Sequence, residues 1–211
     1  NKKEVTMDEL MEAIEKVMLG PERKSRMLSE EEKKLTAYHE AGHALVAHES
    51  PHADPVHKIS IISRGHAAGY TLKLPAKEKN LKSKAEYLAE LAVALGGYAT
   101  EKLIFGEDEL TTGASSDLRV ATQLARAMIT QYGMSDKLGP RTYGHKEEMV
   151  FLGRDITEQK DYSEKAAEAI DEEVTRLMKE AEKKAHAIVL KNKEMLDKIA
   201  EVLLKKETIE K

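Results

Sequence analysis

The chain has 211 residues and a formal net charge of −4, from 34 Lys and Arg against 38 Asp and Glu. These charges are intermixed and form no basic face, so we expect no nucleic-acid partner. The absence of cysteine excludes disulfides and thiolate metal sites, which leaves His, Asp and Glu as possible metal ligands. No apolar run approaches the roughly 20 residues that cross a bilayer, so we expect this chain to be soluble. Its first residue is Asn1 rather than Met, so we expect it to be a piece of a longer protein.

Helical periodicity dominates the first fifty residues. Apolar residues at helical spacing predict a short amphipathic helix over residues 5–19, followed by a linker that ends at residue 26. A second helix is predicted from Ser29 to about Glu49, because Ser29 and Glu32 form a capping box.

Two short strands are predicted next. Residues 58–63 are β-branched and apolar, and residues 69–74 alternate between apolar and polar side chains. A helix follows, which begins after a second capping box at Ser83 and runs to Ile104. We expect the two glycines at 96–97 to weaken this helix in the middle.

The rest of the chain is predicted to be mostly helical. In order, the pattern indicates a polar loop over 112–116, a helix over 116–131, an irregular stretch over 133–153, a helix from Ser163 that is interrupted at 191–192, and a last helix that carries residues 196–203. The predicted fold class is mainly α, a helical bundle around the second helix with a small β element.

The second helix contains His39-Glu40-Ala41-Gly42-His43, an H-E-x-x-H motif. Residues four apart lie one turn above each other, so both imidazoles point the same way and supply two zinc ligands. Glu40 projects beside the metal and is the candidate general base. A chance match on a solvated helix face is the competing explanation. Gly42 costs about 1 kcal/mol relative to Ala inside a helix, which predicts that another element packs closely against it.

Spacing leaves the third zinc ligand open. The metzincin subclass requires Gly and His where this chain has Val46 and Glu49, which excludes that subclass. A glutamate on a helix further along the chain is one option, and the candidates are Glu86, Glu90 and Glu101. The competing explanation for each is an exposed charge on a helix, or for Glu86 a helix cap. The other option is Asp117, whose place in a first helical turn is otherwise explained by the helix dipole.

A longer series of matches resembles the peptidase domain of FtsH, a family of membrane-anchored AAA+ zinc proteases. The matching segments are residues 39–43, 56–61, Gly69 with Thr71, 95–97, 105–106, 111–117, 133–135 with 138–140, 150–153, 170–174 and 207–209. They follow the family's order over nearly all of residues 30–210, which is far more specific than H-E-x-x-H alone.

This resemblance implies a set of site residues. In the FtsH family the Asp that closes the Thr-Gly-Ala-x-x-Asp stretch is the third zinc ligand, and that position is Asp117 here. His39 and His43 match the family's other two ligands, and Glu40 matches its catalytic base. One departure is Lys102, where the family more often has a second acidic residue, so we expect local packing or a contact behind the ligands to differ from that of the family.

The resemblance also implies a domain organisation and partners. Residues 1–26 are expected to be the end of the AAA+ lid subdomain and its linker, and residues 27–211 the zinc peptidase domain. The expected cofactor is Zn²⁺, with ATP bound only upstream, because this chain has no G-x-x-x-x-G-K-[ST] loop. The whole protein is expected to be a homo-hexamer with a membrane anchor upstream, a cytoplasmic peptidase domain, and unfolded or membrane proteins as substrates.

Two further interpretations concern how the chain works. An extended substrate is expected to pair with the free edge of the 69–74 strand, although the apolar face of that strand is also explained by core packing. The competing functional class is a helical interaction domain with a vestigial metal motif. The intact ligands His39 and His43 together with the intact Glu40 argue against that class.

Overall fold

The computed structural model describes residues 4–22, 29–65, 67–74, 81–144 and 161–210. Within these ranges the fold is mainly α with a small sheet, as the sequence predicts. The helices are α1 Met7–Leu19, α2 Glu30–Glu49, α3 Lys84–Ala94, α4 Gly96–Ile104, α5 Ser115–Thr130, α6 Glu164–Lys191 and α7 Lys193–Lys206. The strands are β1 Val56–Ser60, β2 Tyr70–Lys73 and β3 Thr208–Glu210, and short 3-10 helices span Glu107–Glu109 and Thr112–Ala114.

Both predicted capping boxes are present. At the start of α2 the Ser29 hydroxyl accepts from the Glu32 amide at 3.2 Å, and the Glu32 carboxylate accepts from the Ser29 amide at 2.9 Å. Ser83 and Glu86 make the same exchange at the start of α3. Glu86 therefore has a structural explanation that does not involve a metal.

Helix α2 lies at the centre of the core. One apolar cluster packs α2 against the sheet, α6 and α7, and includes Leu45, Ile59 and Leu203. A second cluster joins α3, α5 and α6 through residues such as Met128 and Ile170. Because α2 is surrounded in this way, eleven of its residues are buried, from Thr36 to Ala47. The H-E-x-x-H motif is thus held on a rigid, enclosed helix rather than on a solvated face.

Gly42 lets α2 and α4 approach each other closely, which confirms the prediction that another element packs there. A Cβ at Gly42 would lie 2.2 Å from the Thr100 hydroxyl oxygen and 2.6 Å from the Gly96 carbonyl oxygen. The predicted weak point in the third helix is a real break, because α3 ends at Ala94 and α4 begins at Gly96. This break turns α4 onto α2, where it passes behind the motif.

The sheet is antiparallel with strand order β2-β1-β3, so β1 is central. The two predicted strands are present, with the first shifted toward the amino terminus. Strand β3 is absent from the sequence prediction, because three residues are too few to show an alternating pattern. It pairs Ile209 with Ile59 after Glu207, a left-handed residue (φ 61°), has reversed the chain at the end of α7.

A buried carboxylate joins α1 to the sheet. Glu15 accepts from the Lys58 ammonium at 2.8 Å and from the Tyr70 hydroxyl at 3.0 Å. The apolar stripe predicted for α1 is exposed in the described structure, with Leu10 at 49 % and Val17 at 87 % of full exposure. The predicted helix is present, but its apolar stripe is not buried, and polar contacts such as those of Glu15 attach it to the sheet.

Some sequence predictions fall wholly or partly outside the described residues. The predicted linker is described only as far as residue 22, the irregular stretch only as far as residue 144, and the matching segment 150–153 not at all. Within the described residues, no helix combines the length and the apolar character that crossing a membrane requires.

Candidate metal centre and active-site cleft

Helix α2 brings His39 and His43 together one turn apart, as the motif predicts. Both side chains are buried, their ring centroids lie 4.7 Å apart, and their Nε2 atoms lie 3.0 Å apart. Both Nε2 atoms therefore point to one small region beside the helix. Two imidazole nitrogens converging at this distance are half of a tetrahedral zinc shell.

Asp117 completes this group from the first turn of α5. Its Oδ2 lies 3.1 Å from His39 Nε2 and 3.4 Å from His43 Nε2. One ligand atom from each of the three residues lies within 4.8 Å of the others. A set of two nitrogens and one carboxylate oxygen leaves one position open, which is the arrangement of catalytic zinc sites.

The other nitrogen of each imidazole is fixed by a hydrogen bond. Nδ1 of His43 donates to the Val93 carbonyl at 2.7 Å, and Nδ1 of His39 donates to the Glu101 carboxylate at 2.6 Å. These bonds leave Nε2 of both rings free to bind a metal and set the ring orientations. The His39 ring also lies flat against Gly97, where a Cβ would come within 2.4 Å of it.

Glu101 is a supporting residue and not an exposed helix charge. Its side chain is fully buried, and one oxygen also accepts from the amide and hydroxyl of Thr111, at 3.1 and 3.0 Å. Of the remaining candidate glutamates, Glu86 caps α3 and Glu90 pairs with Lys82 at 2.9 Å. The structure brings none of the three glutamates to the point where both Nε2 atoms converge.

Lys102 does not disturb the site. Its ammonium lies 2.9 Å from Glu107, in the 3-10 helix after α4, and 3.3 Å from Glu182 on α6. Lys102 therefore takes the place of an acidic residue that the family more often has, and its charge is paired with Glu107 and Glu182. The contact behind His39 is made by Glu101, the neighbouring residue.

Glu40 lies beside the three ligands and is buried. The Thr71 hydroxyl, on β2, donates to Glu40 Oε2 at 2.8 Å and fixes the orientation of the carboxylate. Burial raises the pKa of Glu40 above its usual value, and this effect outweighs the opposing influence of the two histidines. A carboxylate whose pKa is raised by burial is better suited to accept a proton near neutral pH. Sequence reasoning did not identify Thr71 as its partner.

His39 and Asp117 each favour the charged form of the other. Burial by itself lowers the pKa of His39, but hydrogen bonds to Asp117 and Glu101 outweigh it and raise the pKa to about 10. For Asp117, burial raises the pKa, but the two histidines hold it well below its usual range. A metal ion that binds here must displace the proton of His39, so binding is coupled to proton release.

Comparison with known proteins identifies the family. The sequence model of peptidase family M41 matches residues 26–211. This chain belongs to peptidase family M41. The match also confirms the resemblance to the FtsH peptidase domain that the sequence motifs indicate, because FtsH proteins are among the chain's similar relatives.

Three relatives show the extent of this similarity. The ATP-dependent zinc metalloprotease FtsH of Veillonella parvula is 51 % identical over 210 residues, which cover 100 % of this chain and 32 % of the relative. FtsH 1 of Thermomicrobium roseum is 52 % identical with the same coverage. FtsH of Caldicellulosiruptor bescii is 49 % identical over 208 residues, 99 % of this chain and 33 % of the relative. The chain thus spans about a third of the length of these relatives.

In this M41 chain the candidate metal-binding group lies in a cleft of about 640 Å³. Residues of β2, of α3 and of the start of α5 line this cleft together with His39 and His43. The cleft is partly open to solvent, and the buried Glu40 and the half-buried Asp117 are among the residues that line it. Membership of a peptidase family, together with this cleft, favours an enzyme over an interaction domain with a vestigial metal motif.

Proposed function

We propose that this chain is the peptidase domain of an ATP-dependent zinc metalloprotease and hydrolyses peptide bonds in unfolded or membrane proteins. The observation that carries the proposal is the convergence of His39, His43 and Asp117 beside the buried carboxylate of Glu40, in an open cleft. Family membership and the names of the relatives support it.

The donor set fits zinc. Imidazole nitrogen and carboxylate oxygen are ordinary zinc ligands, and three protein ligands with one open position are typical of catalytic rather than structural sites. We assign His39, His43 and Asp117 as the ligands, with Glu101 and the Val93 carbonyl holding the two rings. When bound, zinc supplies a Lewis acid that activates water and polarises the scissile carbonyl.

Glu40 performs the proton transfers. Its carboxylate takes a proton from the attacking water and delivers it to the amine that leaves when the peptide bond breaks. Thr71 donates to one carboxylate oxygen and so fixes the orientation of this side chain. Glu40 is enclosed by protein, so little solvent competes for that proton.

The rest of the complete protein is inferred from the relatives and the resemblance. We assign residues 1–26 to the end of an AAA+ lid subdomain with its linker, and residues 27–211 to the peptidase domain. An ATPase module and a membrane anchor precede this chain, the protein assembles as a homo-hexamer, and the peptidase domain faces the cytoplasm. Zinc serves the peptidase site, and ATP serves only the upstream module.

The test separates peptide hydrolysis from substrate unfolding. Hydrolysis of a peptide bond is downhill, whereas unfolding a stable domain requires about 5–15 kcal/mol. The purified chain with zinc is incubated with casein and with a stable folded domain, each with and without ATP and with and without a chelator. We expect cleavage of casein that the chelator abolishes and zinc restores, and no cleavage of the folded domain. Chelator-resistant cleavage of casein, or ATP-stimulated degradation of the folded domain, would contradict the proposal.

A further inference from the structure

Strand β2 presents a free edge and one polar face to the active-site cleft. Among the described residues it pairs only with β1, so its other edge has no strand partner. Tyr70 and Leu72 are buried, whereas Thr71 and Lys73 alternate with them and share the opposite face. Thr71 contacts the carboxylate of Glu40. Lys73 therefore lies one strand repeat, roughly 7 Å, from a residue that touches the proposed base.

Lys73 is the only Lys or Arg among the described residues that line the cleft. It is half-buried and lines the cleft together with Glu90, Val93 and Ala94 of α3. In the described part of the chain its ammonium makes no ion pair, because the nearby Glu90 carboxylate is bound to Lys82 at 2.9 Å. Other half-buried lysines are paired; Lys58, for example, binds Glu15.

Partial burial without a partner is unfavourable for an ammonium group. Burial lowers the pKa of Lys73, although the more distant carboxylates of Glu90 and Asp54 act in the opposite direction. A charged group in such a place gains most from an anion that arrives with a ligand, because that ligand supplies a partner that the described residues do not. The cleft is therefore better matched at this point to an acidic side chain than to a neutral one.

We propose that Lys73 forms a subsite for an acidic substrate side chain, so that this chain prefers peptide segments with Glu or Asp on the amino-terminal side of the cleaved bond. The proposal rests on the proposed peptidase function. A substrate strand that pairs antiparallel with the free edge of β2 places facing side chains on the same side of the sheet, about 5 Å apart. Its residue opposite Lys73 lies two positions before the residue opposite Thr71.

The negative charges of the cleft distinguish its metal end from the end at which Lys73 lies. Glu40, Glu101 and Asp117 lie at the metal end, and Glu90 lies at the Lys73 end. A substrate acid elsewhere in the cleft meets like charge, whereas one at Lys73 meets its opposite. Glu90 is bound to Lys82, but its negative charge near Lys73 repels a substrate acid there, so its neutralisation strengthens the preference.

The experiment measures a charge preference within each variant. A neutral fluorogenic peptide and its single Glu, Gln and Lys replacements at positions before the cleaved bond are hydrolysed by the zinc-loaded chain. We expect one position at which Glu exceeds Gln in kcat/KM by about five-fold, the size expected of one cross-strand ion pair. The ratio of Glu to Gln should fall to near one in Lys73→Met, persist in Lys73→Arg and increase in Glu90→Gln. In Lys73→Glu the peptide with Lys at this position should become the preferred substrate.

A control and a second measurement keep the outcomes distinct. Lys84 lies at the start of α3, does not line the cleft and pairs with Asp136. The Lys84→Met variant removes this cation and should leave the ratio unchanged. Binding of the same peptides to Glu40→Gln, followed by fluorescence anisotropy, reports the preference without turnover. Equal affinity and equal kcat/KM for Glu and Gln at every position would overturn the Lys73 proposal. Preferential binding of the Glu peptide with no hydrolysis by the wild type would support the subsite and contradict the peptidase function.

Discussion

Nδ1 of His39 lies 2.6 Å from Oε1 of Glu101, a carboxylate with no solvent exposure. The contact raises the electron density of the imidazole and fixes the ring with Nε2 toward the other ligands. The burial of Glu101 is compensated by this bond and by two bonds from Thr111, and His39 draws its pKa below the usual value despite burial. Glu101 therefore positions a ligand without being one.

Replacement of Glu101 should weaken zinc binding. In Glu101→Gln the amide oxygen still accepts from Nδ1 but carries no charge, and we expect the zinc dissociation constant to rise about 10- to 100-fold. Competition titration against a chromophoric chelator measures it. Glu109→Gln, a change at an exposed residue of the neighbouring 3-10 helix, is the matched control and should bind zinc as the wild type does. Equal affinity in both variants would show that Glu101 serves only packing.

Gly97→Ala should damage the metal site through a steric clash. The new Cβ would lie 2.4 Å from the His39 ring, so the imidazole must leave its present position. We expect zinc affinity to fall by about tenfold or more, since ligand orientation is lost. Leu196→Ala is the control, because it removes a fully buried side chain of α7 and destabilises the fold by about 2–5 kcal/mol without touching the ligands. The account is wrong if both variants lose zinc affinity equally.

Glu173 should make stability depend on acid pH. Its carboxylate accepts from Arg176 at 2.8 Å and from the Ser135 hydroxyl at 2.7 Å, and chiefly the Arg176 bond lowers its pKa from 4.5 to about 2. The folded state therefore favours the ionised form, and this stabilisation is complete above about pH 4.5 and is lost as the pH falls toward about 2.

The measurement compares unfolding free energies of wild type and Glu173→Gln by urea titration from pH 7 to pH 3. We expect the variant to be less stable by about 2 kcal/mol at pH 7, with the difference shrinking below pH 4.5. Glu168→Gln, at an exposed position on the same helix, should show no such pH-dependent difference. A constant difference across the range would exclude the proposed linkage.

Local patterns in the sequence account for the elements that it predicts correctly. The caps at Ser29 and Ser83 and the one-turn spacing of His39 and His43 depend on residues three or four apart, and the structure reproduces them. The prediction of close packing at Gly42 succeeded for a different reason. A helical glycine is costly, so its presence indicates a steric requirement from another element.

The supporting contacts of the site depend on tertiary packing that no local pattern contains. Glu101 is 62 residues from His39, and Thr71 is 31 residues from Glu40, so neither pair has a spacing that identifies it. Spacing alone treats Glu101 as an exposed charge, whereas the approach of α4 to α2 at Gly42 brings it behind His39. Asp117 is indicated only by the family motif, since its helical position has an ordinary electrostatic explanation.

The most direct test of the central claim is casein hydrolysis and zinc content measured together in Glu40→Gln. The amide keeps the size of the side chain but cannot accept a proton, and Glu40 is not among the three proposed ligands. The account predicts one zinc per chain, an unchanged thermal unfolding midpoint, and a loss of turnover of at least about 100-fold. Wild-type turnover in a zinc-loaded Glu40→Gln chain would contradict the assignment of Glu40 as the base.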